Sequence, residues 1–181
     1  MKKTFIILAD GFEEIEAVTV VDVLRRLNIV CDICALDNIE VKGAHNMTIV
    51  ADKLFDEMDF NKYDALILPG GMPGASNLKQ DKRVVSLVKE YFKIIKIVAA
   101  ICAAPIVLEE AGIIKNKRIT SFPGFENEFN TSIYLEDKVV TDGNIITSRG
   151  PATAFDFAFE IASKIIDPAS VDKARNAMLL D

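Results

Sequence analysis

Five short apolar runs, set apart by stretches of helical periodicity, constrain the fold more than any other feature of this sequence. The runs are Lys3–Leu8, Val30–Leu36, Ala65–Leu68, Ile97–Ile101 and Ile145–Ser148. Each has the length of a strand and little alternation, as strands buried on both faces of a parallel sheet do. Ile15–Leu27, Arg83–Ile94, Ala103–Ala111 and Ala152–Ile166 repeat apolar residues at helical spacing. Strands that alternate with helices predict an α/β fold, a mostly parallel open sheet with helices on both faces. Gly112 is placed to stop the third helix. Pro151 lies just ahead of the fourth, where a first-turn proline is tolerated. Pro168 is expected to end that helix, leaving Ser170–Leu180 for a last short one. Ile39–Val50 alternates polar and apolar residues around Lys42-Gly43 and predicts a hairpin or edge excursion. Phe122–Asn130 lacks periodicity and is expected to be loop. No linker, internal repeat or low-complexity tract interrupts the pattern, so residues 1–181 are expected to form a single domain.

Composition removes several function classes. A chain of 181 residues, half of them apolar, buries about 70% of its unfolded surface and can build a core without disulfides or metals. Twenty-one Lys and Arg against 27 Asp and Glu leave a net charge of −6, which disfavours general nucleic-acid binding. No apolar run reaches membrane-spanning length. The basic start is followed by too short an apolar stretch for a signal peptide and reads as a first strand. Three cysteines do not make a disulfide framework, so a reducing cytoplasm is the expected compartment. The single histidine, His45, excludes a multi-histidine metal site, and no metal site is expected.

In open α/β sheets ligands bind beyond the carboxyl ends of the strands. Three such ends are unusual: Ala9-Asp10-Gly11-Phe12-Glu13-Glu14-Ile15-Glu16, Leu68-Pro69-Gly70-Gly71-Met72-Pro73-Gly74, and Ala99-Ala100-Ile101-Cys102-Ala103-Ala104-Pro105. Cys102 falls between a strand and a helical pattern, where a sharp turn presents a nucleophile at the sheet edge. The N–H groups of a following helix would favour a thiolate there and lower its pKa. The same position also suits a buried structural cysteine. Glu16 lies inside the apolar stripe formed by Ala17, Val20, Val21, Leu24 and Leu27, whereas Glu14 lies outside it. A carboxyl on a buried face has a raised pKa and can donate or accept a proton. Glu13 and Glu14 read more simply as acids favoured at a helix start. Gly70-Gly71 can bring backbone N–H groups to a substrate oxygen, or can be no more than a tight turn. Cys31 and Cys34 spell C-x-x-C inside a strand, where residues three apart face opposite sides; a redox or metal role is not expected. His45 reads as an exposed hairpin residue.

These pieces together, with Thr147-Ser148-Arg149-Gly150-Pro151, resemble the ThiJ/PfpI superfamily and most closely its DJ-one branch. The resemblance runs from the first strand to the helix after Pro151. It implies a flavodoxin-like three-layer sandwich, a homodimer, and no cofactor. It implies that Cys102 is the family's oxidisable nucleophile and Glu16 the protonated glutamate beside it. Gly71 and Ala103, with Gly70 alongside, match the positions whose N–H groups face a substrate oxygen or an oxidised sulfur. Arg149 matches an arginine near the site and dimer interface, and His45 stands where relatives carry an arginine. Two departures matter. The protease-like branch has His directly after the cysteine, where this chain has Ala103, and the later-loop histidine of some relatives corresponds here to Phe122.

The implied activity is that of a glyoxalase or deglycase acting on small reactive carbonyls, with Cys102 as nucleophile and Glu16 as acid and base. The alternatives are a redox sensor or chaperone-like stress protein that uses a Cys102 sulfinate, an amidase or peptidase, which the missing histidine disfavours, and an idle binding domain.

Overall fold

The computed structural model describes residues 2–180. Its sheet is built on β1 (Lys3–Leu8), whose side chains are almost all fully buried, as a strand covered on both faces requires. The chain then forms α1 (Glu14–Arg26), β2 (Val30–Ala35), a hairpin of β3 (Glu40–Lys42) and β4 (Thr48–Val50), and the short β5 (Lys53–Leu54). It returns across β1 into β6 (Ala65–Leu68), α2 (Gly74–Gln80), α3 (Lys82–Lys93) and β7 (Ile97–Ile101). The rest comprises α4 (Pro105–Glu110), β8 (Arg118–Ile119), β9 (Ile133–Tyr134), β10 (Val139–Asp142), β11 (Ile145–Ser148), α5 (Ala154–Ser163) and α6 (Pro168–Ala177).

The main sheet has the order β10-β11-β7-β6-β1-β2-β5, and every pairing is parallel except β10 with β11. Helices α1 and α5 pack together as one layer and α2, α3 and α4 as another. This is the flavodoxin-like three-layer arrangement, and all five apolar runs are strands in it. Strand order reverses between β1 and β6, because β1 pairs with β2 on one side and β6 on the other. That switch point places the loops after β1, β6 and β7 around one crevice.

Several boundaries differ from expectation for identifiable reasons. Ala103 and Ala104 form the turn after β7, and the helix starts only at Pro105, in the first-turn position that proline suits. Pro168 does not end the fourth helix, which stops at Ser163; it opens α6 behind the Asp167 cap, whose carboxylate accepts the Ser170 N–H at 2.9 Å. Pro151–Thr153 is a separate 3-10 turn before α5. Gly112 does end α4, with φ +68°, which glycine adopts without a side-chain clash. The hairpin forms as expected, with Gly43 N–H donating to Met47 O at 2.8 Å across its turn.

Candidate active site

Each key side chain is placed by the end of a central strand. Cys102 follows β7 directly and has φ +63°, a left-handed conformation unusual for a side-chain-bearing residue. Its backbone is held on both sides: Cys102 N–H donates to Ser148 O and Phe122 N–H donates to Cys102 O, each at 2.9 Å. These bonds offset the strain and lift the side chain over the sheet edge. Cys102 is 8% exposed at that edge.

Glu16 is fully buried in the first turn of α1. Its Oε2 accepts the Gly70 N–H at 2.7 Å, while its Oε1 is buried with no hydrogen-bond partner. Gly70 lies between the two reactive groups. A β-carbon there would stand 2.5 Å from Cys102 Cβ, 2.8 Å from Glu16 Oε2 and 3.0 Å from Ala103 N, so only glycine admits this approach. Gly71 has φ +85°, and its N–H, with that of Ala103, approaches the Cys102 sulfur. Cys102, Glu16, Gly70, Gly71 and Ala103 are therefore one cluster.

The electrostatics of the pair correct one expectation. Burial pushes Glu16 up to about 7, against the opposing effect of the Gly70 N–H; the nearby Glu13 charge adds to the rise. The Cys102 thiol is also pushed up, first by burial and then by the Glu16 carboxylate, although the Gly71 and Ala103 N–H groups act the other way. The sequence reading expected a lowered thiol pKa from the following helix. That helix is short and starts three residues away, so its dipole is weak at the sulfur. The orphaned Oε1 lies on the carboxyl that faces this thiol.

The other candidates occupy the rim or the core. Arg149 directly follows β11; one of its guanidinium nitrogens is buried without a hydrogen-bond partner, and its charge is felt by Glu126. Phe122 lies against Gly150 and carries the N–H that fixes Cys102. His45 is an exposed residue of the hairpin turn, with Nδ1 2.9 Å from Glu14 Oε2 and 3.6 Å from Glu13 Oε1. Glu14 itself is buried, contrary to its place outside the helical stripe: the hairpin turn covers it and donates the His45 N–H to its Oε1 at 2.7 Å. Its covering element lies 31 residues away, so helical periodicity carried no signal of it. Cys31 and Cys34 are buried in β2 and pushed up to about 12 by burial, which suits core residues.

A family model for the DJ-1/PfpI family matches residues 2–164. Protein dj-1beta of Drosophila melanogaster is 36% identical over 182 residues, covering 99% of this chain and 97% of that protein. Its crystal structure matches with a TM-score of 0.96 over 99% of this chain and 98% of that one. DJ-1 homolog B of Arabidopsis thaliana is 40% identical over 159 residues, which are 87% of this chain but only 36% of that longer protein. A deglycase of Thermococcus kodakarensis is 30% identical over 155 residues, 84% of this chain and 93% of that enzyme. With a family model matching most of its length and a relative of 36% identity covered almost end to end, the chain belongs to the DJ-1/PfpI family.

Proposed function

We propose that this protein is a cofactor-independent glyoxalase or deglycase that uses Cys102 on 2-oxoaldehydes of the methylglyoxal type or on their early adducts. The observation that carries this reading is the Cys102–Glu16 pair, enclosed by Gly70 and faced by two backbone N–H groups. With Glu16 at about 7, both its forms are populated near neutrality, as a proton carrier requires. The relationship to a deglycase, at 30% identity, is consistent with this chemistry.

In this scheme the Cys102 sulfur attacks the aldehyde carbon while its proton passes to the Glu16 carboxylate. The carbonyl oxygen takes that proton from Glu16 and becomes the hydroxyl of a hemithioacetal, which returns Glu16 to the carboxylate. Gly71 and Ala103 N–H groups stabilise the negative charge that develops on that oxygen. Glu16 then moves a proton from the aldehyde-derived carbon to its neighbour through an enediol, leaving a 2-hydroxy thioester. Water hydrolyses the thioester, releasing the 2-hydroxy acid and restoring the thiol. On an early adduct, the sulfur attacks the carbon that bears the amine, the C–N bond breaks, and the amine leaves with the thiol's proton delivered by Glu16, giving the same hemithioacetal. Arg149, with its unpartnered guanidinium nitrogen, is a candidate to hold a substrate oxygen at the rim. Three free cysteines suit a reducing compartment such as the cytoplasm. Exposed Ile15 and Val18 on α1, with Met47 and Val50 on the hairpin, suit a homodimer interface.

The test is methylglyoxal consumption with lactate detection, without Tris or added thiol. Wild type is expected to form lactate catalytically. Cys102→Ser should form none, and Glu16→Gln should lose about 10²–10⁴-fold in turnover. For wild type, kcat/KM should rise with pH through about 7, as Glu16 becomes the carboxylate, and the rise should vanish in Glu16→Gln. Aldehyde loss without lactate would reduce Cys102 to a trap and defeat the reading.

The orphaned Glu16 Oε1 favours one second reading, a peroxide sensor. Peroxide would take Cys102 to the sulfinate, and a protonated Oε1 would donate a hydrogen bond to it. Equal oxidation of Cys31, Cys34 and Cys102 in mass spectra would remove that option.

A further inference from the structure

A groove over α2, α3 and α4 adjoins the Cys102 crevice and is left unused by the proposed chemistry. It holds about 680 Å³. That is far more than a three-carbon aldehyde fills, and it falls within the range of small-molecule sites. Three of its lining residues are tied to the residues around the sulfur. Met72 directly follows Gly71, Ile106 N–H donates to Ala103 O at 3.2 Å, and Phe125 N–H donates to Phe122 O at 3.3 Å. Gly71 and Ala103 carry the N–H groups that face Cys102, and the Phe122 N–H holds the Cys102 carbonyl. The near end of the groove is therefore apolar and opens beside the thiol.

The far end is charged. On α3, Lys82, Val85, Ser86 and Lys89 recur at i, i+3, i+4 and i+7, so they share the one face that lines the groove. Lys79 joins them from α2. The other wall comes from α4, which ends at Glu110, and from the turn Glu126–Glu128, which contributes Glu128. Among the described residues, none of these three lysines and two glutamates forms an ion pair, either within its wall or across the groove.

A basic wall and an acidic wall too far apart to bond each other are left to water. A ligand carrying both signs answers both walls at once, whereas a simple anion would meet the carboxylates and a simple cation the lysines. The scale fits an amino acid. Glu110 lies one helical turn beyond Ile106 on α4, about 6 Å further along the helix. The five bonds of a lysine side chain, from Nζ to Cα, span roughly 6 Å as well.

From this we propose that the groove is a subsite for the carrier half of an adduct, and that the carrier is a zwitterion. Its chemical class is a free amino acid whose side-chain amine bears the carbonyl. The α-carboxylate faces Lys79, Lys82 and Lys89, the α-ammonium faces Glu110 and Glu128, and the aliphatic arm crosses Met72, Ile106 and Phe125 to reach Cys102. The proposal rests on the glyoxalase or deglycase reading and selects among the adducts within it.

The probe is Nε-lactoyl-lysine, in which a stable amide replaces the labile link of the adduct. It is tested at low salt as an inhibitor of lactate formation from methylglyoxal. Its Nα-acetyl and carboxamide forms, which each lack one charge, are tested beside it. Competitive inhibition by the zwitterion is expected, about fivefold tighter than by either blocked form. The difference should shrink as salt is added. Combined Lys79→Gln, Lys82→Gln and Lys89→Gln should abolish the advantage over the carboxamide. Glu110→Gln with Glu128→Gln should abolish the advantage over the acetyl form. Turnover of methylglyoxal itself should not change in either variant, because the charged end of the groove lies outside the Cys102–Glu16 cluster. Equal inhibition by all three ligands, or none, overturns the subsite and leaves the glyoxalase reading standing. A wild type that forms no lactate defeats that reading, and this proposal with it.

Discussion

Glu16 is where one residue's chemistry bears on the whole fold. Its carboxyl is raised from 4.5 in the unfolded chain to about 7 in the folded one, first by burial. The folded state therefore binds this proton more tightly. The stability it contributes is complete below pH 4.5 and is lost as pH rises through about 7. The shift corresponds to about 3 kcal/mol. Relative to Glu16→Gln, wild type should lose about that much stability between pH 4 and pH 8; equal differences in urea midpoint at both values would show that Glu16 ionises freely. The burial of Glu16 was legible in the sequence because Ala17, Val20, Val21 and Leu24 form a stripe around it, and all are buried with it. Glu14 was not legible, because what buries it is a hairpin turn that packs against α1 only in three dimensions. The thiol's raised pKa was hidden for a similar reason: it depends first on how deeply the fold buries the sulfur and then on how near Glu16 lies, neither of which spacing along the chain encodes.

Among the elements, the central strands were read well and the expected helices start within two residues of their observed starts. Five apolar runs became β1, β2, β6, β7 and β11, since burial on both faces leaves little choice of residue. Five elements went unread: α2, β5, β8, β9 and β10. α2 starts at a glycine beyond the Pro73 turn and is too short for periodicity to register. β10 is an edge strand, and the Asp142-Gly143 turn that joins it to β11 was the available signal. A polar cap marks α3: the Asp81 carboxylate accepts the N–H groups of Arg83 at 2.7 Å and Val84 at 3.4 Å. Asp81→Ala should cost about 1 kcal/mol, read as a lower urea midpoint with an unchanged m-value. An unchanged midpoint would mean that packing of the buried Val84, Leu87, Val88 and Tyr91 alone sets the helix.

At the level of the whole molecule, alternation of strands and helices was enough to predict layers, but the order of strands was not readable from it. The return of the chain across β1 into β6 sets where the crevice opens, and that choice belongs to the assembled sheet. The assembled surface also carries apolar side chains that the core does not use. Ile15, Val18, Met47 and Val50 are each more than half exposed, on α1 and the hairpin bonded to it. If this face joins two copies, sedimentation should give a dimer for wild type and a shift toward monomer for Val18→Asp. A monomeric wild type at high concentration would remove the dimer from the reading.

The bond from the Gly70 amide to Glu16 Oε2 links β6 to α1 across the centre of the sheet, between two buried partners. No local fraying frees that hydrogen, for the strand ends around it are held by β1 and β7. Its exchange with deuterated solvent should thus be as slow as that of Ile67 inside β6, and track global unfolding. Loss of reactivity on heating would then mark the melting of the sheet itself, with no earlier, inactive but folded stage to detect.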